Sequence, residues 1–177
     1  MSNKLKKEII EWVKTIAISL VIAFVITQFI RPTLVKGYSM YPTLEENDYL
    51  IINRIPYTTH EPSRGDIVVF KSHLTQENGK EKDLVKRVIA VPGDKIKIIS
   101  GKVYVNDKEI KEPYINGDYT DGYIDTIVPE GFVFAMGDNR PNSLDSRDPR
   151  VGMVSEDNII GRAFIRLYPL NKVGFLK

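Results

Sequence analysis

LVKRVIAV, residues 84–91, carries one basic residue on each face of an otherwise apolar run. Alternation along a strand puts Leu84, Lys86, Val88 and Ala90 on one side, and Val85, Arg87, Ile89 and Val91 on the other. Two arrangements fit this pattern. On a sheet edge, Lys86 and Arg87 would guard the open ladder against pairing with other chains. In the middle of a sheet, at least one of the two charges must leave water. A buried lysine loses its proton readily, its pKa falling by several units, whereas an arginine stays charged. Lys86 is thus the group able to become a neutral amine base near pH 7.

Short β-type runs surround this stretch, at 49–53, 66–71, 95–99, 103–105, 124–128, 132–136 and 159–167. Ser100-Gly101 and Asn106-Asp107, set between such runs, read as hairpin turns. No sustained 3.6-residue periodicity follows Lys36. Closely spaced strands without intervening helices predict a mainly β, antiparallel body, a barrel or a sandwich. Three polar stretches interrupt it. SHLTQENGKEKD (72–83) is expected to be a solvated loop, and 106–125 is a second excursion, rich in Asp, Gly and Tyr. The third, GDNRPNSLDSRDPR (137–150), has a single apolar residue, Leu144, and is too long for a simple hairpin. Long loops in compact domains tend to be functional.

Ahead of the body, TIAISLVIAFVITQFI (15–30) has no charged residue. Sixteen helical residues reach roughly 24 Å, somewhat short of a ~30 Å hydrocarbon core. Trp12 and Val13, with the Lys14 amine reaching to the headgroups, close most of that gap. A buried core helix would show a polar face, and this run is apolar all round. A cleaved signal peptide would end in small residues, but Gln28-Phe29-Ile30-Arg31-Pro32 follows. The expectation is therefore an uncleaved signal anchor over residues 12–31. Lys4, Lys6, Lys7 and Lys14 lie at its N-terminal end, against two basic residues shortly after it. That bias predicts a cytoplasmic tail at 1–11 and an extracytoplasmic body at 32–177, in a single-pass protein of the cell membrane.

Composition narrows the chemistry. The 177 residues are 42% hydrophobic and 27% charged, which suits one packed domain with an appendage. With no cysteine there is no disulfide, no thiolate nucleophile and no Cys-ligated zinc. Residues 1–36 carry a net charge of +4, leaving 19 basic and 21 acidic residues in the remainder. A mildly acidic body argues against a nucleic-acid partner, since phosphate binding needs a concentrated basic surface. His60 and His73 both read as exposed loop positions and share no face. Asp118, Asp121 and Asp125 do not follow a calcium-loop pattern, and no phosphate-binding glycine loop is present. Neither a metal nor any other cofactor is expected.

Ser39 is the candidate nucleophile. It sits in GYSMYPTL (37–44), where Gly37 allows close backbone approach and Pro42 stiffens the segment. By itself it could equally be an ordinary loop serine. The setting changes that. GYSMYPTL (37–44), RGDIVVF (64–70), KRVIAVPGD (86–94) and GDNRPNSLDSR (137–147), in this order after one N-terminal span, resemble the type I signal peptidases. The likeness covers essentially the whole chain, and the size and single anchor resemble the small Gram-positive members.

The resemblance implies a membrane-bound serine endopeptidase that removes signal peptides from exported preproteins through an acyl-enzyme, close to the secretion translocon. It implies Ser39 as nucleophile, Lys86 as general base, and Ser143 as the hydroxyl that hydrogen-bonds and orients the lysine. Asp145 and Arg147 match a supporting ion pair, and Asp138 and Arg140 belong to the same structural motif. Gly37, Ser39 and Met40 fall at the substrate-binding and oxyanion positions. Some longer relatives carry a serine where Gly37 stands, and losing such a donor typically costs about 3–4 kcal/mol. Rival readings are a self-cleaving repressor peptidase with the same Ser/Lys chemistry, a catalytically dead binding protein on the same scaffold, and a structural surface anchor. The repressor reading lacks a DNA-binding helical domain here.

Overall fold

The computed structural model describes residues 3–54, 61–76, 79, 81–117 and 119–176. One long helix, α1 (Asn3–Phe29), precedes an all-β body. Neither Gly nor Pro interrupts α1, and its 27 residues extend about 40 Å. It is long and apolar enough to cross a membrane, and its apolar window is not buried against the body. The helix ends at Phe29, two residues before the expected end of the span at Arg31. Strand β1 (Ile30–Leu34) begins at once and pairs antiparallel with β2 (Tyr49–Asn53). Pro32 has no N–H to donate and is accommodated because β1 lies at the sheet edge.

The other strands are β3 (Ile67–Thr75), β4 (Glu81–Ala90), β5 (Lys95–Ile99), β6 (Lys102–Val105), β7 (Lys108–Glu109), β8 (Ile124–Ile127), β9 (Phe132–Met136), β10 (Val154–Ser155), β11 (Ile159–Tyr168) and β12 (Gly174–Phe175). They form two antiparallel sheets. The larger runs β1-β2-β11-β3-β4-β9-β10, with β12 beside β11, and the smaller runs β7-β6-β5-β8. The mainly β antiparallel body expected from the strand spacing is present. The β5–β6 and β6–β7 hairpins turn where expected: Ser100, Gly101, Asn106 and Asp107 all have positive φ, as two-residue turns between twisted strands require.

β4 lies between β3 and β9, so the edge-strand alternative for Lys86 and Arg87 falls away. Ile89 and Ala90 pack with Phe134 and Met136 of β9 against Ile96, Ile98, Val103 and Val105 of the small sheet. A second core joins Leu50 and Ile52 of β2, Ile67 and Val69 of β3 and Ala163 of β11 to Val35, Met40 and Leu44. The segment carrying Ser39 is therefore bolted to the large sheet by its apolar neighbours.

Two expectations need correction. Residues 72–75 and 81–83 are strand rather than solvated loop, because β3 and β4 run on into them, with Thr75 opposite Glu81 and the Ser72 hydroxyl donating to the Lys82 carbonyl. A polar composition hid paired strands that extend beyond the core. His73 is accordingly an exposed strand residue rather than a loop residue, and His60 lies outside the described residues. The polar stretch 137–150 is partly interior: Asp138, Asn139, Arg140, Asp145 and Ser146 are all buried.

Gly161 of β11 lies so close to β2 that a Cβ would stand 2.5 Å from the Asn53 carbonyl oxygen. Gly161→Ala must push two strands apart. It is expected to cost about 1–3 kcal/mol, read as a lowered unfolding midpoint of the detergent-solubilised protein.

Candidate active site

The hairpin of β1 and β2 opens into a loop closed at its base by hydrogen bonds from Val35 N–H to the Asp48 carbonyl and from Asn47 N–H to the Val35 carbonyl, each 2.9 Å. Asp48 is buried and accepts from Arg166 of β11 at 2.8 Å, and the same guanidinium donates to the Thr43 carbonyl. Gly37 takes a φ of +82°, which a side chain would strain, and its N–H donates to Glu46. Met40 and Leu44 anchor the loop in the core, leaving Ser39 half-buried between them and solvent.

Lys86 reaches this serine from β4. Its Nζ is 2.7 Å from Ser39 Oγ and donates to the Val85 carbonyl at 2.9 Å. The lysine is 2% exposed. Burial is the largest influence on it and pulls its pKa down from 10.5 to about 8. Asp145 and Asp138 push it back up, while Lys82 and Arg147 push it down. The arrangement brings an unusually acidic ammonium against a hydroxyl, which is the geometry of a nucleophile with its own base.

The loop 137–150 packs against Ser39, and its Asp138, Asp145 and Arg147 act on Lys86 through their charges. A Cβ on Gly137 would collide with the Ser39 carbonyl oxygen and the Ser143 hydroxyl, so only glycine lets the two segments touch. Asn139 holds the serine's main chain, its N–H donating to the Ser39 carbonyl and its Nδ2 to the Tyr38 carbonyl, both at 3.0 Å. The N–H of Ser39 itself donates to no described residue.

Asp145 and Arg147 form the expected pair. Arg147 Nε and a terminal nitrogen donate to the two carboxylate oxygens at 2.9 Å each, and Asp145 also accepts the Gly137 N–H. Asp138 accepts a two-pronged contact from Arg87, at 3.0 and 2.8 Å, and the Thr43 hydroxyl as well. Arg140 pairs instead with Glu112.

One placement differs from what the resemblance implies. Ser143 Oγ makes no hydrogen bond to Lys86: it is buried beside Gly137 and the Ser39 carbonyl, without a partner among the described residues. The Val85 carbonyl holds the amine in its stead, because the side chain folds back along its own strand. Met40 turns its side chain into the core at 2% exposure, so any contact it makes with a substrate is through its main chain. Sequence reasoning had no role for Thr43, Asn139, Glu112 or Tyr114, which lie in polar stretches without periodicity. For Arg87, as for Lys86, burial was one of two open alternatives, and its partner was not visible. Among the described residues no cluster of three or more His, Asp or Glu is arranged to hold a metal.

Comparison with known proteins places the whole chain. Residues 9–168 match the family model described as signal peptidase, peptidase S26. The chain is 37% identical over 187 residues to signal peptidase IB of Staphylococcus aureus (strain COL), covering 95% of this chain and 94% of that protein. It is also 37% identical over 180 residues to signal peptidase I S of Bacillus subtilis (strain 168), with the same coverage. A crystal structure of a signal peptidase I from Enterococcus faecalis V583 matches at 29% identity with a TM-score of 0.48, covering 58% of this chain and 96% of that one. With a family match over most of its length and relatives at this identity, the chain belongs to the S26 family of signal peptidases.

Proposed function

We propose that this chain removes signal peptides from exported preproteins, with Ser39 as nucleophile and Lys86 as general base. The observation that carries the reading is the 2.7 Å contact between a buried lysine amine and a serine hydroxyl. Neutral Lys86 takes the Ser39 proton as Oγ attacks the scissile carbonyl carbon. The tetrahedral oxyanion is met by the uncommitted Ser39 N–H, in an environment where a fixed dipole counts for more than in water. Collapse breaks the C–N bond, and the Lys86 ammonium gives its proton to the leaving amine, which leaves an ester on Ser39. Lys86, neutral again, draws a proton from water as the water attacks that ester; collapse then breaks the bond to Ser39 Oγ, which takes that proton back from Lys86. Ser143, buried and unpaired beside the Ser39 carbonyl, supplies a hydroxyl to the amine once the serine is acylated.

In this reading α1 anchors the chain with residues 1–11 in the cytoplasm, 12–31 as the span and 32–177 outside. The lysines at the helix's N-terminal end support that orientation. Ser39 lies ten residues beyond the helix end, and a preprotein still held by its own apolar segment presents its cleavage site at the same surface. Tethering both to one bilayer beside the translocon raises their effective concentration.

Cleavage of a preprotein by the full chain in detergent tests this. Ser39→Ala and Lys86→Ala should each lower the rate by on the order of 10⁴-fold or more with the fold intact. Near-normal processing by either would sink the mechanism. Wild-type kcat/KM should rise about tenfold per pH unit below about 8 and level off above it, since only the neutral amine accepts the proton.

Lys86→Met gives a separate readout. The folded pKa of about 8 lies below the unfolded 10.5, so burial of the ammonium costs stability fully below pH 8. That cost is relieved as pH climbs from 8 to 10.5. At pH 7 the inactive Lys86→Met protein should be more stable by roughly 3 kcal/mol, measured by denaturant unfolding. The difference should shrink toward pH 10.5. Equal stability of the two proteins at pH 7 would contradict a costly buried charge.

A further inference from the structure

Residues 112–117 and 119–121, between β7 and β8 of the small sheet, touch Asp138, Arg140 and Arg147 of the catalytic loop, 137–150, and Arg87 beside it. Glu112 accepts from two nitrogens of Arg140, at 2.8 and 2.6 Å, and Thr120 accepts from Arg140 at 2.6 Å. Asn116 N–H donates to the Asp138 carbonyl, and the Asp121 carbonyl accepts from Arg147. The Tyr114 ring lies 4.0 Å beneath the Arg87 guanidinium, and its hydroxyl donates to Glu112 at 3.0 Å. Arg87, in turn, is the neighbour of Lys86 on β4 and the partner of Asp138.

The Arg140–Glu112 pair is almost wholly sealed, with side chains 0% and 7% exposed. Removing both charges from water costs much of what their attraction returns, so such a pair is a poor way to gain stability. It does fix a position. Arg140 Nε donates to the Gly137 carbonyl at 3.1 Å, and Gly137 is the residue whose bare Cα lets the loop lie on Ser39 and Ser143. A displacement of Arg140 is passed to Gly137 and from there to the serine main chain. The same displacement opens the loop that keeps water from Lys86.

We propose that Glu112 is a positioning residue for the reaction, acting through Arg140 and Gly137 to hold the catalytic loop closed on Ser39 and Lys86. This rests on the Ser39/Lys86 mechanism above. The groups facing Lys86 are Asp145, Asp138 and Arg147 from the catalytic loop, Lys82 from its own strand and the Ser39 hydroxyl. Asp145 and Asp138 oppose Arg147 and Lys82, whereas burial acts in one direction only. Loosening the loop therefore acts mainly by admitting water, and returns the amine toward its ordinary pKa.

The test uses the full chain in detergent, with Glu112→Gln, Tyr114→Phe and Ser39→Ala compared on one preprotein. In Glu112→Gln, kcat should fall between about tenfold and a hundredfold with KM within about twofold, as expected for a small misplacement of reacting groups. The rise of kcat/KM with pH should also move at least about half a unit to higher pH. Tyr114→Phe keeps the ring under Arg87 and removes only the hydrogen bond to Glu112. It should shift both quantities in the same direction by less, and it carries the test if Glu112→Gln does not fold. A loss of rate that tracks the folded fraction, with the pH rise unmoved, would overturn the proposal and leave 112–121 as scaffold. Activity retained by Ser39→Ala would instead remove the underlying mechanism, a distinct outcome.

Discussion

A lysine amine can take a proton from a serine only while it is neutral, and in water at pH 7 almost none of it is. The 2.7 Å contact between Lys86 and Ser39 therefore has value only where water is kept out, and much of the fold serves that end. β4 is central, so its ladder on both sides excludes solvent from the stem of the lysine. The loop 137–150 lies against Ser39. Carboxylates nearby would undo the effect by restoring the proton. Each of the two that face Lys86 is instead matched to a guanidinium, Asp145 to Arg147 and Asp138 to Arg87. The carboxylates can then hold backbone and loop in place, with Arg147 and Lys82 opposing their pull on the amine.

The proposed nucleophile, Ser39, is delivered by topology. Because β1 starts directly after α1 and pairs with β2, the loop between them falls a fixed short distance from the helix end. That loop has no ladder of its own. It is held from below by Met40 and Leu44 in the core, from one side by Asp48 and Arg166, and from the other by Asn139 on the serine's own carbonyl. Three different kinds of contact restrain the loop 35–48. The Ser39 side chain keeps little freedom beyond rotation about its own bond, so little entropy remains to be lost when it reacts.

How much of this was legible depended on whether a residue's neighbours are local or distant. Two-residue turns at Ser100-Gly101 and Asn106-Asp107 are local, and positive φ at those positions is written into the residue types. The strands of the body followed from alternation for the same reason. Burial of Lys86 was one of two open alternatives, because alternation says which face a residue takes and not whether the strand is central. That choice was settled by β9, whose Met136 lies opposite Arg87. The polar arms of β3 and β4 at 72–75 and 81–83 were misjudged since strands extending beyond a core need no apolar pattern. Glu112 and Asn139 left no signal at all, for each works through a partner far away in the chain and lies in a stretch without period.

The buried pairs also explain how so polar a loop folds inward. Residues 137–150 have almost no apolar surface to bury, so the hydrophobic effect gives little reason for them to leave water. What draws them in is mutual satisfaction: Arg147 reaches the carbonyl of Arg140, Arg140 that of Gly137, and Asp145 takes the Gly137 N–H. Such a network has value only when complete, since each lost partner strands another group in a dry place. It therefore closes all together or stays open. A loop of that kind is a poor contributor to stability and a good means of fixing atoms, and the atoms it fixes are those around one serine and one lysine.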